Sequence, residues 1–220
     1  MSTRLMLILA SLLFVATPLR ADDAEAAKRL EGVMSGLDTL RAEFTQTVLD
    51  ANLEPVRESR GSLWLKRPGK FRWNYRTPFE QVIVADGVNL WTYDPELEQA
   101  TVKPLAETLA SSPAALLTGS KPIAEEFEVS EIGEAGELYW IELVPIVQDT
   151  DFERVRVALA DGELDTMELS DNLGQTTRIQ FRDIERNVDI KASQFSFDPP
   201  EGTDVIGEPQ TVTSGTGSPQ

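Results

Sequence analysis

Carboxylates dominate the reactive side chains of this chain: 37 Asp and Glu stand against 20 Lys and Arg in 220 residues, with no Cys and no His. Paired carboxylates can serve as general acid and base or bind hard cations. The densest oxygen cluster is Asp149-x-Asp151-x-Glu153, which lacks the glycine and the terminal glutamate spacing of an EF-hand loop. A solvated strand edge accounts for it, since charges on sheet edges discourage pairing between chains. The two missing residue types remove whole classes of chemistry. There is no thiolate nucleophile or disulfide, no Ser-His-Asp triad, no HExxH zinc site and no imidazole proton shuttle. A Gly-rich phosphate loop and a GxSxG elbow are also missing. Nothing here indicates an enzyme, a cofactor or a metal site.

The charge is unevenly spread. Between Arg57 and Arg76 lie seven basic residues and one acid, Glu58, in a chain whose formal charge is -17. Such a balance disfavours nonspecific nucleic-acid binding, and the basic island reads as a docking rim for acidic partner surfaces, with Arg72 and Arg76 at its end. Arg4 followed by the apolar run Leu5 to Ala16 reads as a cleaved secretory leader, shorter than the roughly 20 residues a membrane span needs. Cleavage after Ala21 removes two arginines and no acid, which takes the charge from -17 to -19.

The elements that would position any site follow from periodicity. Leu30, Val33, Met34 and Leu37 fall at helical spacing, so a helix is predicted from a cap at Asp22 or Asp23 through Leu40. Gly32 and Gly36 weaken it by roughly 1 kcal/mol each relative to Ala, which suits a helix lying on a sheet. From about Phe44 the period changes to two. Phe71-Arg72-Trp73-Asn74-Tyr75-Arg76 sends three aromatics to one face and Arg72, Asn74 and Arg76 to the other. Val82 to Ala85, Leu90 to Tyr93, Leu138 to Val144, Arg154 to Leu159, Leu164 to Leu169 and Thr176 to Phe181 continue an antiparallel meander. Pro104 to Ala110, Pro113 to Leu117 and Pro122 to Phe127 read as short proline-opened helices that must lie across an apolar surface. The polar end of the chain, from 208, reads as a disordered tail.

Chemistry is then sought in an apolar face. A broad sheet rich in Trp, Phe and Tyr, covered by one weakened helix and three short ones, can leave a cavity whose cover opens. Packing of a plain core is the competing reading of the same residues.

Phe44-Thr45-Gln46-Thr47, Gly61-Ser62-Leu63-Trp64-Leu65-Lys66-Arg67-Pro68 with Phe71-Arg72-Trp73, Asp86-Gly87-x-x-Leu90-Trp91-x-Tyr93-x-Pro95, Glu98-Gln99-Ala100-Thr101 and Phe195-Ser196-Phe197-x-Pro199-Pro200 together resemble the periplasmic lipoprotein carrier family, LolA. The resemblance implies a mainly β fold with some α: an incomplete, open antiparallel β-barrel covered by an N-terminal helix and short lid helices. It implies a monomeric periplasmic chaperone that binds acylated lipoproteins from an inner-membrane ATP-driven release complex and hands them to an outer-membrane receptor. Burying an acyl chain of roughly 15 methylenes is worth on the order of 12 kcal/mol, so such cargo needs an escort through water. In the resemblance Arg67 matches the arginine that holds the lid closed, and Phe71 a position associated with partner docking. Trp64, Trp73, Ile83 and Trp91 are candidate walls of the acyl-chain cavity, each equally open to a core role. The expected organisation is a signal peptide over 1–21, one carrier domain over 22–207 and a tail over 208–220. A periplasmic lipid- or lipoprotein-sensing regulatory module of the same architecture is the alternative.

Overall fold

The structure, a computed structural model, describes residues 21–108, 113–119, 121–147, 150 and 152–211. The predicted leader lies outside the described residues apart from Ala21, as do Leu109 and Ala110 of the first short helix, Asp149 and Asp151 of the carboxylate cluster, and the tail beyond Thr211.

Helix α1 (Ala21–Met34) leads into strands β1 (Thr39–Leu49), β2 (Pro55–Lys66), β3 (Lys70–Thr77), β4 (Gln81–Asp86), β5 (Asn89–Asp94) and β6 (Gln99–Pro104). Short helices α2 (Leu105–Thr108), α3 (Pro113–Thr118) and α4 (Ile123–Glu126) follow. Strands β7 (Phe127–Ala135), β8 (Leu138–Pro145), β9 (Phe152–Ala160), β10 (Glu163–Asp171) and β11 (Thr176–Arg186) form a second meander, and β12 (Asp204–Ile206) ends the sheet. The strand order is β12-β6-β5-β4-β3-β2-β1-β11-β10-β9-β8-β7. The two meanders join where β1 pairs with β11, and β12 and β7 stand at opposite edges. This is the open, mainly β architecture expected, with every pairing antiparallel except β12 on β6.

Alternation makes one face apolar, the side that α1 and the short helices cover, called here the concave face. Leu40, Ala42 and Phe44 of β1, Leu63 and Leu65 of β2, Phe71 and Trp73 of β3, and Ile179 and Phe181 of β11 meet the buried face of α1 in one core. Gly61 of β2 is required there, because a Cβ would overlap the Asn74 carbonyl oxygen and stand 2.8 Å from the Phe44 ring. That ring packs 5.0 Å from Trp73 and 5.2 Å from Tyr75. On the convex face Val84, Trp91, Ala100 and Val102 form a smaller cluster, covered by Phe197 at 5.5 Å from the Trp91 ring.

Helix α1 departs from the prediction. It stops at Met34, six residues before Leu40, and β1 begins at Thr39 rather than near Phe44. Gly36 takes a left-handed φ of 70°, which turns the chain at low steric cost. The last turn carries no cation of its own, yet Arg186 donates to the Val33 carbonyl at 2.6 Å and Arg67 to the Met34 carbonyl at 3.0 Å. Two distant guanidinium groups thus satisfy the orphan carbonyls and oppose the negative end of the helix dipole. Near the end of the described residues, the Gln210 backbone N–H donates to the Asn89 side-chain oxygen at 2.7 Å, and the Asn89 amide donates back to the Gln210 carbonyl at 3.0 Å.

Candidate functional site

The short helices α2 to α4 lie over the concave face with too few residues to be stable alone. Beneath them is a cavity of about 750 Å³, walled by Leu105 of α2, Leu116 of α3, Phe127 at the head of β7, Phe152 and Val155 of β9 and Met167 of β10. Its polar groups, among them Lys121, Glu125 and Gln210, are few. Size and lining match sites for apolar small molecules, in which polar groups serve to orient the ligand. A second cavity of about 560 Å³ lies beside it. Pro68, Leu116 and Phe127 border both, so the end of α3 and one phenyl ring stand between them.

Arg67 sits at this partition. Its Nε donates to the Leu117 carbonyl in α3 at 2.8 Å, while Nη1 donates to the Met34 carbonyl at the end of α1. Its backbone N–H donates to the Asp38 carbonyl at 2.9 Å. One side chain from the β2–β3 turn thereby ties the lid to the N-terminal helix. Burial draws the guanidinium's pKa below its ordinary value. A guanidinium offers five donors in a fixed fork, which suits two carbonyls held at an angle.

The other predicted positions divide. Trp73 is 4% exposed in the concave core, with Ile83 opposite it in register and packed on the same cluster. Trp64 and Trp91 lie on the convex face: the register runs Trp64 to Arg72 to Val84 to Trp91, the row opposite to Leu63, Trp73 and Ile83. These two therefore cannot wall a cavity on the concave side. None of the four borders the 750 Å³ cavity. Trp73 carries one feature of its own, an indole N–H that is buried without a hydrogen-bond partner among the described residues. Phe71, predicted to dock a partner, is 2% exposed and belongs to the core, because β3 alternation turns it inward beside Leu65. Arg72 is half-buried on the convex face and donates to Asn74 at 2.9 Å. Arg76 is exposed and bonds Ser62 and Glu43. Of the carboxylate cluster only Glu153 is described, 3.7 Å from Arg154. No group of three or more His, Cys, Asp or Glu among the described residues could hold a metal ion.

The cavity-lining residues of β9 and β10 carry a partly readable signal. Val155 of β9 and Met167 and Leu169 of β10 stand at alternate positions within strands whose buried pattern is broken elsewhere, at Val157-Ala158-Leu159 and Thr166-Met167. Their meeting with Leu105, Leu116 and Phe127 depends on the meander folding back, which spacing within each strand does not state.

The family profile described as outer membrane lipoprotein carrier protein LolA matches residues 35–198. An outer-membrane lipoprotein carrier protein of Dechloromonas aromatica is 42% identical over 201 residues, covering 91% of this chain and 96% of the relative. One from Nitrosospira multiformis is 41% identical over 209 residues, covering 94% and 99%. Among solved structures, an uncharacterized conserved protein from Thermus thermophilus superposes with a TM-score of 0.54 at 13% identity, covering 83% of this chain and 97% of its own. That likeness concerns the fold alone.

Proposed function

The chain belongs to the outer-membrane lipoprotein carrier family, LolA, and on that premise we propose that it is a periplasmic chaperone for acylated lipoproteins. It takes them from an ATP-driven release complex of the inner membrane and delivers them to a receptor at the outer membrane. It works as a carrier, with no bond made or broken. Residues 1–21 act as the export leader, and the folded carrier follows from Asp22.

The observation that carries this reading is an apolar cavity roofed by helices that one arginine tethers. Hydrogen bonds to a charged group contribute about 1.5–3 kcal/mol each, so the two Arg67 bonds hold the roof by a few kcal/mol. One buried acyl chain contributes on the order of 12 kcal/mol. Cargo therefore opens the roof, and the roof's tendency to close again weakens the grip on cargo. Leu105, Leu116 and Phe127 exchange contacts with the concave face for contacts with acyl chains, while Arg67 releases the Leu117 carbonyl. Trp73 and Ile83 extend the apolar face available once the lid has moved.

Mass spectrometry of the protein isolated from periplasm tests this. Acylated lipoprotein should travel with it in stoichiometric amount. Recovery of free lipid alone, or of a regulatory protein without acyl chains, would overturn the carrier reading.

A further inference from the structure

Eleven large apolar side chains are exposed among the described residues, and four of them stand at strand connections along one margin. Leu53, Phe79, Leu97 and Leu173 are 68%, 64%, 70% and 87% exposed, and each sits at the tip of a different strand connection: β1–β2, β3–β4, β5–β6 and β10–β11. Because β10, β11, β1, β2, β3, β4, β5 and β6 are consecutive in the sheet, these four tips follow one another along one margin. Neighbouring tips are two strands apart, about 10 Å, so the row spans about 30 Å.

The row joins the cavity mouth. Asn172, beside Leu173, donates to the Thr150 carbonyl at 3.2 Å, and Thr150 and the exposed Val147 both border the 750 Å³ cavity. A Cβ on Gly174 would stand 3.4 Å from that of Ala51, so the β10–β11 and β1–β2 turns touch.

Three of the four turns are built alike. At the end of its strand or just beyond it, an aspartate accepts backbone N–H bonds from the turn: Asp50 from Asn52 and Glu54, Asp94 from Glu96 and Leu97, Asp171 from Leu173 and Gln175. Each such turn then presents a leucine to solvent. Leu53 does so in the left-handed region, φ 62°, where asparagine or glycine would be less strained. An exposed leucine in that conformation adds nothing to folding stability. Lone exposed apolar residues need no explanation, but a row of them along one margin, rimmed by charge, marks a contact surface.

The charge states what kind of contact. Residues 50–54, 78–80, 94–98 and 171–175 hold Asp50, Glu54, Glu80, Asp94, Glu96, Glu98 and Asp171, and no Lys or Arg. The nearest cations in the chain are Arg76, Arg57 and Arg178, of which Arg76 pairs with Glu43 and Arg178 with Glu168. An anionic lipid surface would repel such a margin, whereas a protein face with basic residues around shallow apolar pockets complements it.

We propose that the Leu53–Phe79–Leu97–Leu173 margin is a second docking surface, separate from the basic window, that seats a basic, apolar-pocketed face of a partner protein and brings it against the cavity mouth. The partner is sought among the proteins that load or unload the carrier, so the proposal rests on the function given above.

The test combines Leu53→Asn, Leu97→Asn and Leu173→Asn in the full chain. Melting temperature should hold or rise, since all three leucines are exposed and asparagine at 53 tolerates the left-handed region. A fluorescent fatty acid should bind the variant as it binds the wild type, while lipoprotein transfer through the purified release complex or receptor slows about tenfold. Wild-type transfer at one of the two steps should also weaken between about 0.05 and 0.5 M salt, and the variant less so. Equal transfer by both proteins with normal fatty-acid binding would overturn the docking surface. So would wild-type binding to neutral phosphatidylcholine vesicles that the variant loses, because a membrane would then occupy the margin. Failure of both proteins to bind fatty acid would instead refute the carrier reading itself.

Discussion

Arg67 acts through two carbonyls on separate elements, Leu117 in the lid and Met34 at the end of α1. Replacing it with leucine leaves both without that donor and removes stabilisation from the closed, empty state only. Loss of about 2 kcal/mol from that state tightens cargo retention about 30-fold. Arg67→Leu should therefore load lipoprotein normally and pass it on poorly in a purified transfer assay; normal transfer would refute the tether. Tyr75 gives a second prediction at this scale. Burial, opposed in part by Arg57 and by the hydrogen bond to Gln46, pushes its pKa up to about 12. In the unfolded chain the phenol titrates near 10, so between pH 10 and 12 the native state holds a proton that the unfolded state has lost. Stability is complete below pH 10 and falls as pH rises through that window, by on the order of 2 kcal/mol in all. Tyr75→Phe should flatten this loss in urea melts collected across the window. Arg67 is legible in the sequence because its neighbours match a family pattern. Phe71 is not, since a motif position carries no statement of which face its strand turns inward.

Glycines in two elements separate packing from propensity. Gly61 sits in β2 opposite Phe44, where an added Cβ meets backbone and ring at once. Overpacking of this kind costs about 1–3 kcal/mol, so Gly61→Ala should lower the urea midpoint at unchanged slope. Gly32 lies exposed in α1, with open space where the methyl of an alanine would stand, and Gly32→Ala should stabilise the fold by up to about 1 kcal/mol and raise the midpoint. Opposite shifts from the same substitution would show which element is fixed by its neighbours. The same division explains what the sequence discloses. Strands such as β3 and β11 are legible because large apolar residues alternate with charged ones. The end of α1 is not, because Leu37 and Leu40 prolong the helical spacing while the residues that stop the helix, Arg67 and Arg186, come from β2–β3 and β11. Strand β7 hides behind Glu128, Glu131 and Glu134, which suit an edge but break an apolar alternation. The cavity is legible as a gap under short helices. Its walls are not the tryptophans that aromatic content suggests, because strand register places Trp64 and Trp91 on the other face.

Across the whole molecule a net charge of -17 conceals two regions of opposite sign. The convex face of β2 and β3 carries Lys66, Lys70 and Arg72, with Arg76 near the β3–β4 end, whereas the turn tips 50–54, 78–80, 94–98 and 171–175 hold carboxylates and no Lys or Arg. Collection and delivery involve different partners in the proposed cycle, and charge segregation offers each its own approach. Arg72 is half-buried and bonded to Asn74, so it is held in place, while Arg76 projects beside Glu43. Reversing Arg76 sets two carboxylates side by side, but exposed pairs contribute at most about 1 kcal/mol, so the fold should persist. Arg72→Glu with Arg76→Glu should then slow association with an acidic partner and reduce its dependence on salt, with cargo binding and the thermal transition close to wild type. Unchanged, salt-insensitive transfer in stopped-flow measurements would remove the basic window from docking and leave the acidic margin as the surface to explain how the carrier meets its partners.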